Sequence, residues 1–243
     1  MLPALMSPET ARALARINER FYRSHAKHFA SKRERAWPGM RRVLDELPAA
    51  PRTILDVGCG HGRFAQLLRE RGSEASYQGA DASAEMIALA RERSDLLPGA
   101  RFTQVDVIQQ PEALPLGPFD LIAMFGVIHH VPSEPSRVAL LRALAARIAP
   151  NGTLCVAFWR TSADERPDKR VPWSAARIDE RELEPGDRLL RFDTDPAIFR
   201  FSHFADEPEL ARLAGALGVP FAGRFDSDGS GGIANAYLSW RRA

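Results

Sequence analysis

Several residue types are scarce in this 243-residue chain, and each scarcity excludes a class of protein. The two cysteines, Cys59 and Cys155, are too few for a disulfide scaffold or a zinc site built from thiolates, and we predict no metal site. No run of about 18 apolar residues occurs, so no membrane-spanning helix is predicted. The first residues also lack the pattern of a secretory signal, and we therefore expect a cytoplasmic location.

The charges of the chain are nearly balanced, which excludes a protein that coats polyanions by net charge alone. There are 33 Lys and Arg residues against 31 Asp and Glu residues, a formal net charge of +2. Hydrophobic residues make up 45% of the chain and charged residues 26%, as in globular proteins. The length fits one α/β domain with additions, and we predict a single domain over residues 1–243.

A helical extension is predicted over residues 1–50. Ser7-Pro8-Glu9 is a typical helix start, and Pro38 separates this helix from a second, shorter one over Gly39–Leu47. The first 48 residues hold ten Lys and Arg residues against five acids, which makes this the most basic part of the chain. Its arginines favour a partner that carries phosphate or carboxylate groups.

Strands and helices alternate over residues 51–160, which predicts a doubly wound, mostly parallel sheet. The predicted strands are Thr53–Val57, Tyr77–Asp81, Phe102–Asp106, Phe119–Phe125 and Thr153–Trp159. A helix over Pro135–Ile148 is expected to end before the turn Pro150-Asn151-Gly152. Residues 161–200, with four prolines and many charges, interrupt this rhythm and are predicted to be an insertion over the sheet edge. Residues 201–243 are predicted to add one helix and two last strands.

A glycine-rich loop connects the first strand to its helix. In Gly58-Cys59-Gly60-His61-Gly62, the glycines allow a close approach to a ligand at the helix N-terminus. The pattern Gly60-x-Gly62-x-x-Ala65, with Asp81 about 20 residues on, also satisfies the dinucleotide fingerprint. At this point a nicotinamide-dependent oxidoreductase remains open.

The wider pattern over residues 52–160 resembles the class I S-adenosylmethionine-dependent methyltransferases. The resemblance rests on Asp56, the three glycines, the acids Asp81 and Asp106 at the ends of the second and third strands, and the Phe119-Asp120-Leu121-Ile122 strand. It implies a Rossmann-like seven-stranded sheet whose last strand is antiparallel. It also implies S-adenosyl-L-methionine as the cofactor.

The resemblance assigns the cofactor contacts residue by residue. Asp81 would accept both ribose hydroxyls, while Asp106 and the Val107 amide would meet the adenine. Gly58 and Gly60 would pass close to the methionine part, and Asp56 would orient the loop or meet the ammonium group. The full predicted set is Asp56, Gly58, Cys59, Gly60, Asp81, Ala82, Asp106, Val107, Phe125 and Gly126.

Both ends of the chain are similar to one subfamily, the eukaryotic tRNA wobble-uridine carboxymethyl methyltransferases. The similar segments are Phe29–Pro38, Val127–His130, Val171–Trp173, Arg200–Phe204 and Glu209-Leu210. That family esterifies a carboxymethyl uridine of tRNA, often with a small zinc-binding activator protein. The chain departs from its pattern at Lys32, Ala36, Phe201 and Asn235–Tyr237, so a small-molecule acceptor is the alternative.

Candidate acceptor residues follow from the chemistry of methyl transfer. A carboxylate acceptor is ionised near neutral pH and needs an anchor rather than a base, which Arg33 or Arg35 would supply. His129 and His130 follow the fourth strand, where a base for a hydroxyl or amine acceptor would lie. Tyr22, Trp37 and Trp173 are the remaining predicted substrate contacts. A subunit that binds the cofactor or RNA without catalysis also remains open.

Overall fold

A seven-stranded sheet forms the centre of the protein in a computed structural model, which describes residues 6–32, 35–93, 97, 99–160, 169–192 and 195–243. In chain order the strands are β1 (Thr53–Val57), β2 (Ser76–Asp81), β3 (Arg101–Gln104), β4 (Phe119–Phe125), β5 (Ile148–Trp159), β6 (Arg170–Val171), β7 (Asp187–Phe192), β8 (Asp195–His203), β9 (Phe221–Ser227) and β10 (Asn235–Arg241). The helices are α1 (Pro8–Ser31), α2 (Pro38–Glu46), α3 (Arg63–Glu70), α4 (Ala84–Arg91), α5 (Glu134–Ala145) and α6 (Glu207–Gly215).

The order of the large sheet is β3-β2-β1-β4-β5-β10-β9. Strands β1 to β5 pair in parallel, and β10 is antiparallel to both of its neighbours. This confirms the predicted Rossmann-like sheet and its antiparallel last strand. The carboxyl ends of β1 to β5 consequently meet at one edge.

Two apolar clusters cover the faces of this sheet. Side chains of α5 and α6 pack on one face, and side chains of α2, α3 and α4 pack on the other. Strand β4 is almost wholly buried, because its apolar residues contact both clusters. No helix in the described part of the chain is long and apolar enough to cross a membrane.

Helix α1 crosses above the carboxyl edge of the sheet. It begins as predicted, with the Ser7 hydroxyl accepting from the Thr10 amide at 3.1 Å. Its first half packs Leu14 and Ile17 against Phe201 of β8, and its second half packs Ala26 against α4. The helix therefore covers the edge where ligands of open α/β sheets bind.

Two regions differ from the prediction. In the described part of the insertion, β6, β7 and β8 form a second, antiparallel sheet that extends to His203. In addition, α5 ends at Ala145 and β5 begins at Ile148, so the expected turn at residues 150–152 lies inside the strand. The chain passes through it as a bulge with Asn151 at φ 62°, because the pairing of β4 with β5 shifts register there.

Candidate active site

A cavity of about 520 Å³ lies at the carboxyl edge of the sheet, under α1. Its walls come from the segments that follow β3, β2, β1, β4 and β5, in that spatial order. Nine of the ten residues predicted to contact the cofactor line it: Gly58, Cys59, Gly60, Asp81, Ala82, Asp106, Val107, Phe125 and Gly126. The sequence pattern and the tertiary fold therefore single out the same edge.

Asp81 fastens the glycine loop to the end of β2. The Gly60 amide donates to one carboxylate oxygen at 2.9 Å, and the Ser83 amide donates to the other at 2.9 Å. Burial raises the pKa of Asp81, and these two amide bonds act in the opposite direction. The carboxylate lines the cavity and has lone pairs left for a ligand hydroxyl.

Asp106 also accepts bonds from its own loop. Its oxygens accept from the amides of Ile108 at 3.0 Å and Gln109 at 3.1 Å, and from the Gln109 side chain at 2.8 Å. The carboxylate thus orders the turn after β3. That turn brings Asp106 and Val107 to the cavity wall.

Asp56 is the predicted cofactor residue that does not line the cavity. It is buried within the sheet and accepts from the Tyr77 hydroxyl at 2.5 Å. Burial raises the pKa of Asp56 to about 7, against the lowering effect of the bond from Tyr77. Asp56 was predicted either to orient the glycine loop or to meet the ammonium group. Its buried position in β1 fits the first of these two roles.

The glycine loop leaves backbone space where a ligand can approach. Gly58 and Gly60 have positive φ angles of 73° and 54°. A Cβ atom at position 58 would lie 1.8 Å from Cγ2 of Val127, so no other residue type fits there. Two buried donors of the cavity wall, Nδ2 of Asn18 and Nη1 of Arg63, have no hydrogen-bond partner among the described residues. A nucleoside linked to an amino acid fits this combination of backbone cradle, carboxylates and unpaired donors.

Tyr22 and the two histidines lie at the β4–β5 end of the cavity. Nδ1 of His130 is 2.8 Å from the carbonyl oxygen of Phe201, which only accepts, so Nδ1 carries the proton. In the neutral ring, Nε2 then accepts from the Tyr22 hydroxyl at 2.8 Å. His129 stacks on Trp159 with 3.8 Å between ring centroids. His130 therefore links α1 to β8, and His129 forms part of an aromatic wall.

Arg200 is a buried cation at this end of the cavity, and no role was predicted for it from the sequence. Its side chain is buried, 7% exposed, and its guanidinium lies 5.3 to 5.6 Å from the ring centroids of Phe21, Phe29 and Trp159. In the sequence, the segment Arg200–Phe204 was noted only for its similarity to the tRNA wobble-uridine carboxymethyl methyltransferases. Only the fold of β8, however, shows that this arginine faces the cavity.

Two predicted acceptor residues lie outside the cavity wall, and a third is not among the described residues. Arg35 is exposed and is not among the residues that line the cavity, so its role as a carboxylate anchor stays a prediction. Trp173 packs against the cluster around Leu14 and Phe201, because the insertion folds back as a sheet under α1. Arg33 lies outside the described residues.

The comparisons with known proteins agree with this geometry. Residues 26–218 match a family described as a methyltransferase domain. A 1,6-didemethyltoxoflavin-N1-methyltransferase from Burkholderia thailandensis, solved with S-adenosylhomocysteine, has the same fold. Its TM-score is 0.65 at 19% identity, covering 98% of this chain and 92% of that one.

Two curated relatives differ in the molecules they are named for. A probable tRNA methyltransferase 9B from Bos taurus is 29% identical over 68% of this chain and 35% of its own length. A trans-aconitate 2-methyltransferase from Methylobacterium nodulans is 41% identical over 53% of this chain and 46% of its own length. The matched region thus spans between a third and a half of these relatives. The chain belongs to the methyltransferase-domain family, the class I methyltransferases that use S-adenosyl-L-methionine as methyl donor.

Proposed function

We propose that the protein methylates a carboxylate oxygen of a small carboxylic acid. The observation that carries this proposal is the buried guanidinium of Arg200, which lines the same cavity as Asp81. A guanidinium pairs with a carboxylate through two parallel hydrogen bonds, and burial strengthens such a pair. The acceptor of the relative named for trans-aconitate is a tricarboxylic acid, and the resembled tRNA family also esterifies a carboxylate.

The chemistry requires positioning rather than a base. S-adenosylmethionine supplies an electrophilic methyl group whose bond to sulfur breaks as the bond to the acceptor oxygen forms. The products are a methyl ester and S-adenosylhomocysteine. An acceptor carboxylate is already ionised near neutral pH, so no proton has to be removed. Phe29, Trp159 and His129 line this end of the cavity, and an apolar wall of this kind favours methyl transfer by limiting the access of water.

Asn18 supplies a second donor beside Arg200. Its Oδ1 accepts from the Phe201 amide at 2.8 Å, which fixes the orientation of the side-chain amide. Nδ2 is then left buried in the cavity wall without a hydrogen-bond partner among the described residues. A buried donor of this kind costs stability unless a ligand satisfies it, and a carboxylate oxygen is a suitable acceptor.

The enclosure of this end favours a small acceptor. Asn18 and Arg200 are 5% and 7% exposed, so both anchoring groups are buried, on facing sides of α1 and β8. A modified uridine of tRNA is the second candidate, because α1 carries several exposed cations outside the cavity wall: Arg12, Arg16, Arg20 and Lys27. An activator protein is part of this second candidate only.

The test is a transfer assay with methyl-labelled S-adenosylmethionine. Small di- and tricarboxylic acids and bulk tRNA are the two sets of acceptors. Methyl esters release volatile methanol in alkali, whereas N-methyl and ether products do not. We expect alkali-labile label in the small acids; label in tRNA alone supports the second candidate, and an alkali-stable product contradicts carboxylate methylation.

Two variants test the anchor. Arg200→Ala should raise the acceptor KM at least tenfold while binding S-adenosylhomocysteine as the wild type does. Asn18→Asp keeps the acceptor for the Phe201 amide but replaces the donor with an anion that repels a carboxylate, so its KM should rise too. Unchanged KM values in both variants would place the acceptor elsewhere.

A further inference from the structure

A chain of two hydrogen bonds runs along the cavity wall from Tyr22 of α1 to β8. The Tyr22 hydroxyl lies 2.8 Å from Nε2 of His130, and Nδ1 of His130 lies 2.8 Å from the carbonyl oxygen of Phe201. Because a carbonyl oxygen only accepts, Nδ1 donates to it, and Nε2 of the neutral ring accepts from Tyr22. The direction of both hydrogen bonds is therefore fixed.

Packing holds Tyr22 in this arrangement. Its ring lies edge-on to the rings of Phe21 and Phe29, with 5.0 Å and 5.2 Å between ring centroids, and His130 is buried. A Tyr22 hydroxyl that turned away would deprive Nε2 of its donor inside the protein, which costs stability. Tyr22 and His130 both line the cavity, so a bound molecule meets the hydroxyl in this orientation.

The neighbouring polar groups of the cavity have the opposite character. Tyr22 donates its only proton to His130 and therefore offers a ligand lone pairs and no donor. Nδ2 of Asn18, one helical turn earlier on α1, and the guanidinium of Arg200 can only donate. Phe201 brings these groups together, because its amide donates to Asn18, its carbonyl accepts from His130, and it directly follows Arg200 in β8.

This combination of donors and one acceptor selects a chemical class of ligand. A carboxylate satisfies the donors Asn18 and Arg200, but it has no proton for the Tyr22 oxygen. The group that complements Tyr22 is a donor close to the carboxylate, either a hydroxyl or an ammonium group. An ammonium group would add a positive charge to the end of the cavity that already holds the buried guanidinium of Arg200, and such repulsion is strong at low dielectric. A hydroxyl avoids it.

We propose that Tyr22 accepts a hydrogen bond from a hydroxyl group of the methyl acceptor, which is therefore a hydroxycarboxylic acid. Tyr22 is then a specificity residue. His130 acts through it as a positioning residue, because it takes the proton that Tyr22 would otherwise direct at the ligand. The inference rests on the proposed methylation of a small carboxylic acid and names the substrate class of that reaction.

The test is calorimetric titration of acids into the protein saturated with S-adenosylhomocysteine. Two pairs of acids differ only in one hydroxyl group, malate with succinate and citrate with tricarballylate, and aspartate carries an ammonium group in place of the malate hydroxyl. We expect the hydroxy acid of at least one pair to bind at least tenfold more tightly than its partner, because a site built for a hydroxyl discriminates against an analogue that lacks it. Aspartate should bind more weakly than malate.

The Tyr22→Phe variant removes only the phenolic oxygen. It should bind both members of a pair equally, within about twofold, and its affinity for the acid without a hydroxyl should match that of the wild type. This outcome separates specificity from structural damage, because damage would weaken binding of both acids together.

Two substitutions of His130 test its positioning role. In His130→Phe the Tyr22 hydroxyl loses its acceptor and can turn to donate into the cavity, so the preference for the hydroxy acid should fall below about threefold although Tyr22 is present. His130→Gln supplies an amide oxygen for the Tyr22 proton and should keep part of the preference. His25→Gln is the control, because His25 is also a histidine beside a backbone carbonyl, 3.2 Å from that of Phe21, but does not line the cavity. It should keep the full preference.

Equal binding within both pairs, or tighter binding of aspartate than of malate, would overturn the inference. If methyl esters form in that case, the proposed function still stands. A preference for the hydroxy acid that depends on Tyr22, in a protein that forms no ester, would refute the proposed reaction and not the hydroxyl contact. Failure of all five acids to bind would overturn both.

Discussion

Gly58 and Val127 lie so close that position 58 has no room for a side chain. A Cβ atom there would be 1.8 Å from Cγ2 of Val127, and the φ angle of Gly58 is 73°. Val127 follows β4, so this contact sets the spacing between the glycine loop and the segment that leads to the two histidines.

Gly58→Ala should therefore destabilise the protein by more than the positive φ angle alone explains. Gly72 is the matched control, because its φ angle is 68° and no atom lies within 4 Å of the point that a Cβ atom would occupy there. We expect Gly72→Ala to lower the free energy of unfolding by about 1–2 kcal/mol and Gly58→Ala by clearly more. Chemical denaturation measures both.

A second substitution distinguishes the clash from the strain. In the Gly58→Ala background, Val127→Ala should remove the clash. The double variant should then be about as stable as Gly72→Ala, and it should bind S-adenosylhomocysteine more tightly than Gly58→Ala alone. Equal destabilisation by Gly58→Ala and Gly72→Ala would show that the contact with Val127 is unimportant.

The sequence predicted those parts of the site that depend on local structure. Asp81 is the last residue of β2 and the glycine loop directly follows β1. The carboxyl ends of parallel strands meet at one edge regardless of details elsewhere in the fold. The fold class followed from the same alternation of strands and helices. Strand β4 was predicted with its observed bounds because its apolar run is flanked by polar turns.

The β4–β5 end of the cavity could not be predicted in the same way. Asn18 and Arg200 come from α1 and β8, and their juxtaposition depends on how α1 packs on the second sheet. The basic segment predicted Arg33 and Arg35 as carboxylate anchors, since charge is visible in a sequence and burial is not. The second sheet itself was missed because its strands are rich in charged residues and interrupted by proline.

A network of buried charged side chains joins the end of β8 to helices α5 and α6. His203 lies 2.7 Å from both Asp187 and Glu209, and Arg137 lies 2.8 Å from Glu209 through Nε and contacts Glu184. Burial opposes the charge of His203, yet its two carboxylate bonds raise its pKa above the usual value. Bonds from His203 and Arg137 lower the pKa of Glu209 against the effect of burial.

This network predicts a defined dependence of stability on pH. The contribution of His203 is fully present below its unfolded pKa of about 6.5 and is lost as pH rises through the raised folded pKa. The contribution of Glu209 is present above its unfolded pKa and is lost as pH falls through the lowered folded one. His203→Gln should cost about 3 kcal/mol near pH 6, and less in alkaline solution.

Urea denaturation of both proteins between pH 5 and pH 9 checks this difference. Arg181→Gln, which removes an exposed ion pair with Asp179, is the control and should produce no resolvable change at any pH. A stability difference for His203→Gln that stays constant over the range would show that His203 does not titrate in the folded protein.

Asp120 is a matched control for Asp81. It allows the predicted role of Asp81 in ligand binding to be separated from its role in the fold. Asp120 also accepts from two backbone amides, those of Arg52 at 2.8 Å and Thr53 at 3.1 Å, but it lies outside the cavity wall. Substitution of either aspartate by asparagine removes a charged acceptor from a comparable backbone setting.

The most direct measurement is calorimetric titration of S-adenosylhomocysteine into the wild type, Asp81→Asn and Asp120→Asn. The wild type and Asp120→Asn should bind with equal affinity, and Asp81→Asn should lose about 1–3 kcal/mol of binding free energy because the ribose loses a charged acceptor. A wild type that does not bind, or an Asp81→Asn variant that binds as tightly, would contradict a donor site at the ends of β1 to β3.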